Sequence, residues 1–378
     1  MSVVKFLAIF VLIGNVFCQD DLEFSGYLKT LPTTSRFSSA PSLFGFSGDD
    51  YYGLISAQLR FNLRYYASPE FTVNAELKNQ VNHGDLFKWQ QLLNALSPPS
   101  GDYLDLDWDI YSDQETLLKT RIDRLWGQYS NGNLLLTVGR QRIAWGTALA
   151  WNPTDLFNPV SPLDFDNEEK NGADAVRAQY YLGATSKIDL AYKASDDEMQ
   201  RVYAALIGFN YFDYDLNLIL ASYRQKLLMG FSWAGDIEGA GFRGEFVYSD
   251  GFNSYLTSFS GPKIISGDFV SAVISLDYTF ESSLYLQSEV LYNGYRIGLS
   301  GDKWSLLFGS AYQFTPLLNG NLTFIYNPLD FSHAFLPSLS YSLVTNLDLS
   351  LVALISSGDL FDEYPGSDSW YLRLKWSF

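Results

Sequence analysis

The sequence predicts an all-β chain closed into a transmembrane, antiparallel, up-and-down barrel of about 18 strands, with 16 as the alternative count. Three observations carry this. Apolar and polar residues alternate through segment after segment, the links between segments alternate in length, and the chain is rich in aromatic residues to its last position.

The alternation is clearest in four places. In 215–223, Leu216, Leu218 and Leu220 oppose Asp215, Asn217 and Tyr223. In 268–280, Val270, Ala272, Ile274, Leu276, Tyr278 and Phe280 oppose Ser271, Ser275, Asp277 and Thr279. Segments 347–355 and 71–78 repeat the pattern, with Asp348 and Ser350 against leucines and with Glu76 and Lys78 against Phe71, Val73, Ala75 and Leu77. A period of two with one polar face fits a strand set between lipid and a wet lumen. It also fits a soluble β-sandwich, but here the segments run to the end of the chain, which favours one large closed sheet.

Short links fall at Ser68-Pro69, Asn131-Gly132, Gly183-Ala184, Asp213-Tyr214, Gly235-Asp236, Glu281-Ser282, Thr345-Asn346 and near Pro316. Between them lie long links at about 31–51, 83–114, 146–171, 251–267 and 357–367. Shorter ones lie near 195–200, 293–302 and 328–335, with a tight one at Arg224-Gln225. Short turns on one side and long loops on the other are the habit of membrane barrels. In the second long link, 85–96 reads as a short amphipathic helix stopped by Pro98-Pro99.

Residues 1–18 read as an export signal, with Lys5 ahead of an apolar run and Val16-Phe17-Cys18 at the cut. At roughly a dozen residues that run is too short to span a bilayer. Lipidation of Cys18 is the other reading, but Phe17 and Asn15 suit it poorly. Cleavage leaves 19–378 as one barrel domain without cysteine, which excludes disulfides and thiolate metal sites. No other run is apolar enough for a membrane helix, yet the chain holds 26 Tyr, 28 Phe and 9 Trp, as aromatic girdles would require. A net charge of −17 disfavours nucleic acid as a partner. No phosphate loop, dinucleotide fingerprint or haem-attachment motif occurs, so no cofactor is expected.

The final strand, Trp370-Tyr371-Leu372-Arg373-Leu374-Lys375-Trp376-Ser377-Phe378, is apolar at every second residue and stops on phenylalanine. It resembles the strand that the bacterial barrel-insertion machinery reads in porins. The resemblance implies the bacterial outer membrane as location, with its lipid and that machinery as partners.

The segment 138–177 stands apart. Arg140-Gln141-Arg142-Ile143-Ala144-Trp145-Gly146 leads to Trp151-Asn152-Pro153-Thr154-Asp155-Leu156-Phe157-Asn158-Pro159, and then to Asp164, Asp166, Glu168, Glu169 and Lys170. The wording resembles a recurring segment of poorly characterised outer-membrane barrel families, over about forty residues. It joins the fifth and sixth strands, the place where porins carry a third loop folded into the pore, and that likeness implies a constriction here. The prolines restrict φ, and Trp145, Leu149, Trp151, Leu156, Phe157 and Phe165 give the loop something to pack with. Its acids Asp155, Asp164, Asp166, Glu168 and Glu169 are then expected to face Arg121, Asp123 and Arg124 on the fourth strand, Arg140 and Arg142 on the fifth and Arg177 on the sixth. Lipid exposure costs an arginine roughly 2–4 kcal/mol at the midplane, which pushes these residues inward. Because Arg121 and Arg124 fall on opposite faces, a bulge or a place near the rim is required. The pairs either set a transverse field or simply fix the loop.

Three functions remain open: a channel for small hydrophilic solutes or ions, a barrel sheath as in porin–cytochrome electron conduits, and a dedicated polymer or lipid transporter. A homotrimer and a periplasmic or extracellular protein partner are both compatible with the sequence. Catalysis is not expected, since only His83 and His333 are available as histidine bases.

Overall fold

The computed structural model describes residues 21–39, 50–87, 101–158, 161–166, 168–256, 263–294, 303–359 and 362–378. The expected export signal, Cys18 and the part of the expected helix beyond Phe87 lie outside these residues. Asp85–Phe87 forms a single helical turn. Among the described residues, no helix is long and apolar enough to cross a membrane.

One antiparallel sheet is built from β1 (Leu22–Arg36), β2 (Tyr52–Ser68), β3 (Phe71–His83), β4 (Asp107–Ser112), β5 (Thr116–Asn131), β6 (Leu134–Gln141) and β7 (Ala173–Tyr181). It continues through β8 (Lys187–Lys193), β9 (Val202–Tyr211), β10 (Tyr214–Tyr223), β11 (Lys226–Ile237), β12 (Ala240–Leu256) and β13 (Lys263–Thr279). It ends with β14 (Tyr285–Asn293), β15 (Trp304–Thr315), β16 (Leu318–Tyr326), β17 (His333–Val344), β18 (Leu347–Ser357) and β19 (Ser367–Ser377). Each strand pairs with the next, except that β3 passes over β4 to pair with β5, and β19 returns to β1. The result is a closed ring of 18 strands, the predicted count, with β4 as an extra arm beside β5. Closure pairs each of the 18 ring strands on both sides, as a lipid solvent demands.

Polarity is inverted relative to a soluble protein. Leu218, Leu220, Ile274, Leu276, Leu351 and Leu372 are exposed on the outer wall, whereas Arg60, Arg140, Glu245 and Glu289 are each only 1% exposed on the inner wall. Apolar atoms face lipid and charges face the lumen. The seam between first and last strands is held by reciprocal backbone bonds of Gly26 and Phe378, both 2.9 Å. The Phe378 ring lies 6.0 Å from Phe24 and 6.2 Å from Phe61.

Several boundaries differ from the sequence expectation. β1 continues through Pro32 to Arg36, so the first long link starts six residues later than position 31. The proline is tolerated because the β1–β19 ladder skips Leu31 and Pro32 while the β1–β2 ladder continues, and a residue without N–H costs nothing where no bond is made. Pro337 sits in an equivalent gap between β17 and β18. The hairpin of β12 and β13 rises through most of the expected 251–267 link. The turn expected at Gly235-Asp236 falls at Glu238-Gly239, with φ of 52° and 86°. Phe212-Asp213 and Arg224-Gln225 likewise have positive φ at both central residues, the twist that two-residue hairpins require.

Candidate functional site

The chain between β6 and β7 (142–172) does not stand up from the rim. It enters the lumen and touches walls on both sides of the ring. Its first half is anchored by two carboxylates of the inner wall. Glu245 on β12 accepts from the backbone N–H groups of Thr147 (2.5 Å), Ala148 (2.8 Å) and Thr154 (2.8 Å), and from the Thr154 hydroxyl (2.6 Å). Glu289 on β14 accepts from the N–H groups of Trp151 (2.6 Å), Leu149 (3.1 Å) and Ala150 (3.1 Å), and from Ser275 Oγ (2.5 Å). A carboxylate can take several donors and its charge strengthens each bond, so buried backbone amides are satisfied without any helix or ladder.

Apolar packing completes this anchor. Ile143, Trp145, Leu156 and Phe157 join the inner faces of β7 to β13, and Trp145 meets Phe157 edge-on at 5.2 Å. Trp151, 1% exposed, joins Val273, Leu291, Leu307 and Ile325 on the adjoining arc of β13 to β16. Trp145 Nε1 also donates to Asp189 on β8 at 3.1 Å.

The second half is held by charge. Asp166 pairs with Lys29 on β1 (2.8 Å), and Glu168 with Lys375 and with Arg373 (3.2 Å) on β19. Glu169 accepts from Tyr27 Oη at 2.9 Å and lies 3.6 Å from Arg60 on β2. Phe165 packs edge-on against Tyr371 at 4.7 Å. Burial pushes the Glu168 carboxyl up, but the Lys375 hydrogen bond and charge outweigh it and hold the group below the ordinary glutamate value. Asp155 behaves oppositely: burial outweighs its 2.8 Å pair with Lys170 and leaves it above the ordinary aspartate value.

The loop acids and the arginines of the fourth to sixth strands, expected to face each other, are therefore mostly matched elsewhere. Arg121 meets Asp102 (3.0 Å), Asp107 (3.1 Å) and Asp123 (3.6 Å). Arg140 forms a two-pronged pair with Asp174 (2.8 and 2.9 Å), and Arg177 meets Asp189 at 2.5 Å. Arg142 is exposed, as is Asp164. The Arg121/Arg124 conflict is resolved by a bulge: Glu76 pairs with Arg124 and Leu77 with Ile122, leaving Asp123 as the extra residue. Asp123 is thereby buried and bonded to Arg60 at 2.5 Å, while Arg124 caps the loop end by donating to the Lys170 carbonyl.

Sequence reasoning assigned no role to Lys29, Arg60, Glu245 or Glu289 at the loop, although alternation alone turns the two glutamates inward. It also missed β4. β6 stops at Gln141, and the wall above it is filled by 103–112, paired to β5 through β4. This segment is tied to Asp174, which accepts from the N–H groups of Tyr103 (2.9 Å) and Leu104 (2.8 Å), and Arg140 donates to the Leu104 carbonyl at 2.6 Å.

No family model and no curated protein sequence matches the chain. Solved structures do. OccK5 (OpdH) of Pseudomonas aeruginosa aligns with a TM-score of 0.62 at 9% identity, covering 95% of this chain and 98% of the other. OccAB3 of Acinetobacter baumannii gives 0.59 at 10%, over 95% and 100%. An engineered mutant of the Rh. blastica porin gives 0.51 at 12%, over 94% and 100%. With its closed ring, apolar outer wall and charged interior, the chain has the fold of these outer-membrane porins.

Proposed function

We propose that the protein is a diffusion channel for small hydrophilic solutes, and that 142–172 is its constriction. The observation that carries this reading is the attachment of that loop to opposite arcs of the inner wall, at Glu245 and Glu289 on one side and at Lys29 and Lys375 on the other. A loop fixed across a charged lumen narrows the aqueous path without sealing the barrel as a folded plug domain does. In this reading Asp164, Asp166, Glu168 and Glu169 on the loop, with Arg121, Arg142 and Arg177 on the wall, set its edge, while the buried Asp155, Asp123 and Arg140 hold loop and wall in place behind it.

The sheath reading needs a lumen free for another protein, and the loop's double attachment weighs against it. Catalysis finds no support at the histidines. His83 Nδ1 lies 2.9 Å from Thr116 Oγ1, and His333 Nδ1 lies 3.4 Å from the Phe331 carbonyl. Planar-bilayer recording of the purified protein should give discrete conducting steps, and shortening 155–169 should enlarge them. Steps of unchanged size would remove the loop from the conducting path.

A further inference from the structure

Lys29 and Lys375 stand directly opposite each other across the β1–β19 seam. Like charges so placed repel, and the sheet must find anions for them. Elsewhere in the lumen the wall or the 101–112 segment provides these, as Asp123 does for Arg60, Asp174 for Arg140 and Asp189 for Arg177. At the seam, among the described residues, it does not. Lys29 pairs with Asp166, Lys375 with Glu168, and Arg373 with Glu168 (3.2 Å) and Asp166 (3.9 Å). Asp348 is in register with Lys375 on β18 but forms no ion pair with it. Among the described residues, only the loop supplies carboxylates to these three cations.

The part of the loop that does so lacks the attachments of the rest. Residues 143–157 sit in two apolar clusters and on two buried carboxylates. Beyond them, the hold on the seam is ion pairs, the Tyr27–Glu169 hydrogen bond and the Phe165–Tyr371 ring contact. Close by, Lys78 lies in register with both Arg60 and Arg121 and has no hydrogen-bond or ion-pair partner among the described residues.

We propose that Asp166 and Glu168 act as a tethered self-ligand on an anion site formed by Lys29, Arg373 and Lys375, and that a small solute bearing two anionic oxygen groups displaces them. The two carboxylates already bridge these cations, so a free dianion of similar span reproduces their contacts. Displacement releases the second half of the loop while Glu245 and Glu289 keep the first half in place. The site covers itself when empty of solute and opens to the solute that fits it. Apparent affinity is then the intrinsic affinity reduced by the fraction of time that the site is uncovered. This deepens the channel reading, on which it rests for passage of the solute; the site itself is independent of conduction.

Binding to the full chain in detergent, measured by calorimetry with succinate and with inorganic phosphate as probes, tests the site. The variant Asp166→Asn/Glu168→Gln should bind at least one probe about tenfold more tightly than the natural chain, because its competitor is gone. Which probe gains separates a carboxylate from a phosphate source. Adding Lys375→Gln to that variant should abolish the gain. Unchanged affinity for both probes on neutralising the acids, or a gain that survives Lys375→Gln, overturns the proposal. Lys29→Gln in the same background provides a second reading of the site if the Lys375 variant folds poorly. Binding without conducting steps in a bilayer would retain the site and overturn the channel.

Discussion

Glu289 accepts the backbone N–H of Trp151 at 2.6 Å, so a wall carboxylate and not a neighbouring strand fixes the largest buried side chain of the lumen loop. With Glu245 it converts an irregular stretch into a structure with one position. Neither glutamate has a cationic partner among the described residues; amides and hydroxyls alone meet their charge.

Replacing either glutamate should therefore unseat the loop. Each Glu→Ala change strands donors that cost about 1–3 kcal/mol apiece unless water reaches them. Glu245→Ala and Glu289→Ala should leave the barrel folded, enlarge the unitary conductance and expose 142–158 to added protease. Unchanged cleavage would show that the apolar clusters suffice.

The charged half should respond to acid. The Glu168 carboxyl is held below the ordinary value of 4.5, so its stabilisation is complete above that pH and is lost as pH falls through the lower folded value. Asp155 is raised by burial, so the folded loop takes up this proton more readily than the unfolded chain, and acidification there favours 143–157 staying in place. Lowering the pH from 7 to about 3 should loosen 161–170 before 143–157. Cleavage by an acid protease, mapped along the loop, reads the order.

Arg140 offers a sharper stability test. Removing it leaves Asp174 buried beside the 103–104 backbone without its cation. Arg140→Ala should cost about 3–5 kcal/mol, and Arg140→Lys should recover little, because one ammonium cannot reproduce the two-pronged pair and the Leu104 bond. Thermal unfolding in detergent decides between them.

The seam should be intolerant at Gly26. A Cβ there would lie 2.2 Å from the Arg60 carbonyl oxygen and 2.7 Å from the Phe378 ring. Gly26→Val should slow or prevent closure, seen as loss of the fast-migrating folded band in unheated electrophoresis. Gly26→Val combined with Phe378→Ala should recover less than half of it, because the backbone contact remains.

Ring size and strand polarity were legible, because each follows from a period of two and from the cost of charge in lipid; at Arg121–Arg124 the alternation left a bulge or a place near the rim, and the β3–β5 register shows the bulge, at Asp123. The elements missed share one cause. β4 carries a polar, aromatic run that reads as loop, and it is a strand only because β5 offers it an edge. The acids of 164–169 were readable as lumen residues, but their partners are more than a hundred positions away on β1 or β19. Local pattern fixes which face a side chain takes. It does not fix which of many inward charges a folded loop will reach.

The short stop of β6 at Gln141 has a further consequence. A segment of the outer surface loop is built into the wall at the point where the lumen chain departs, and Asp174 ties the two together. Residues 101–112 and the start of β7, where the lumen chain rejoins the wall, thus share one carboxylate, so loss of Asp174 frees both segments at once.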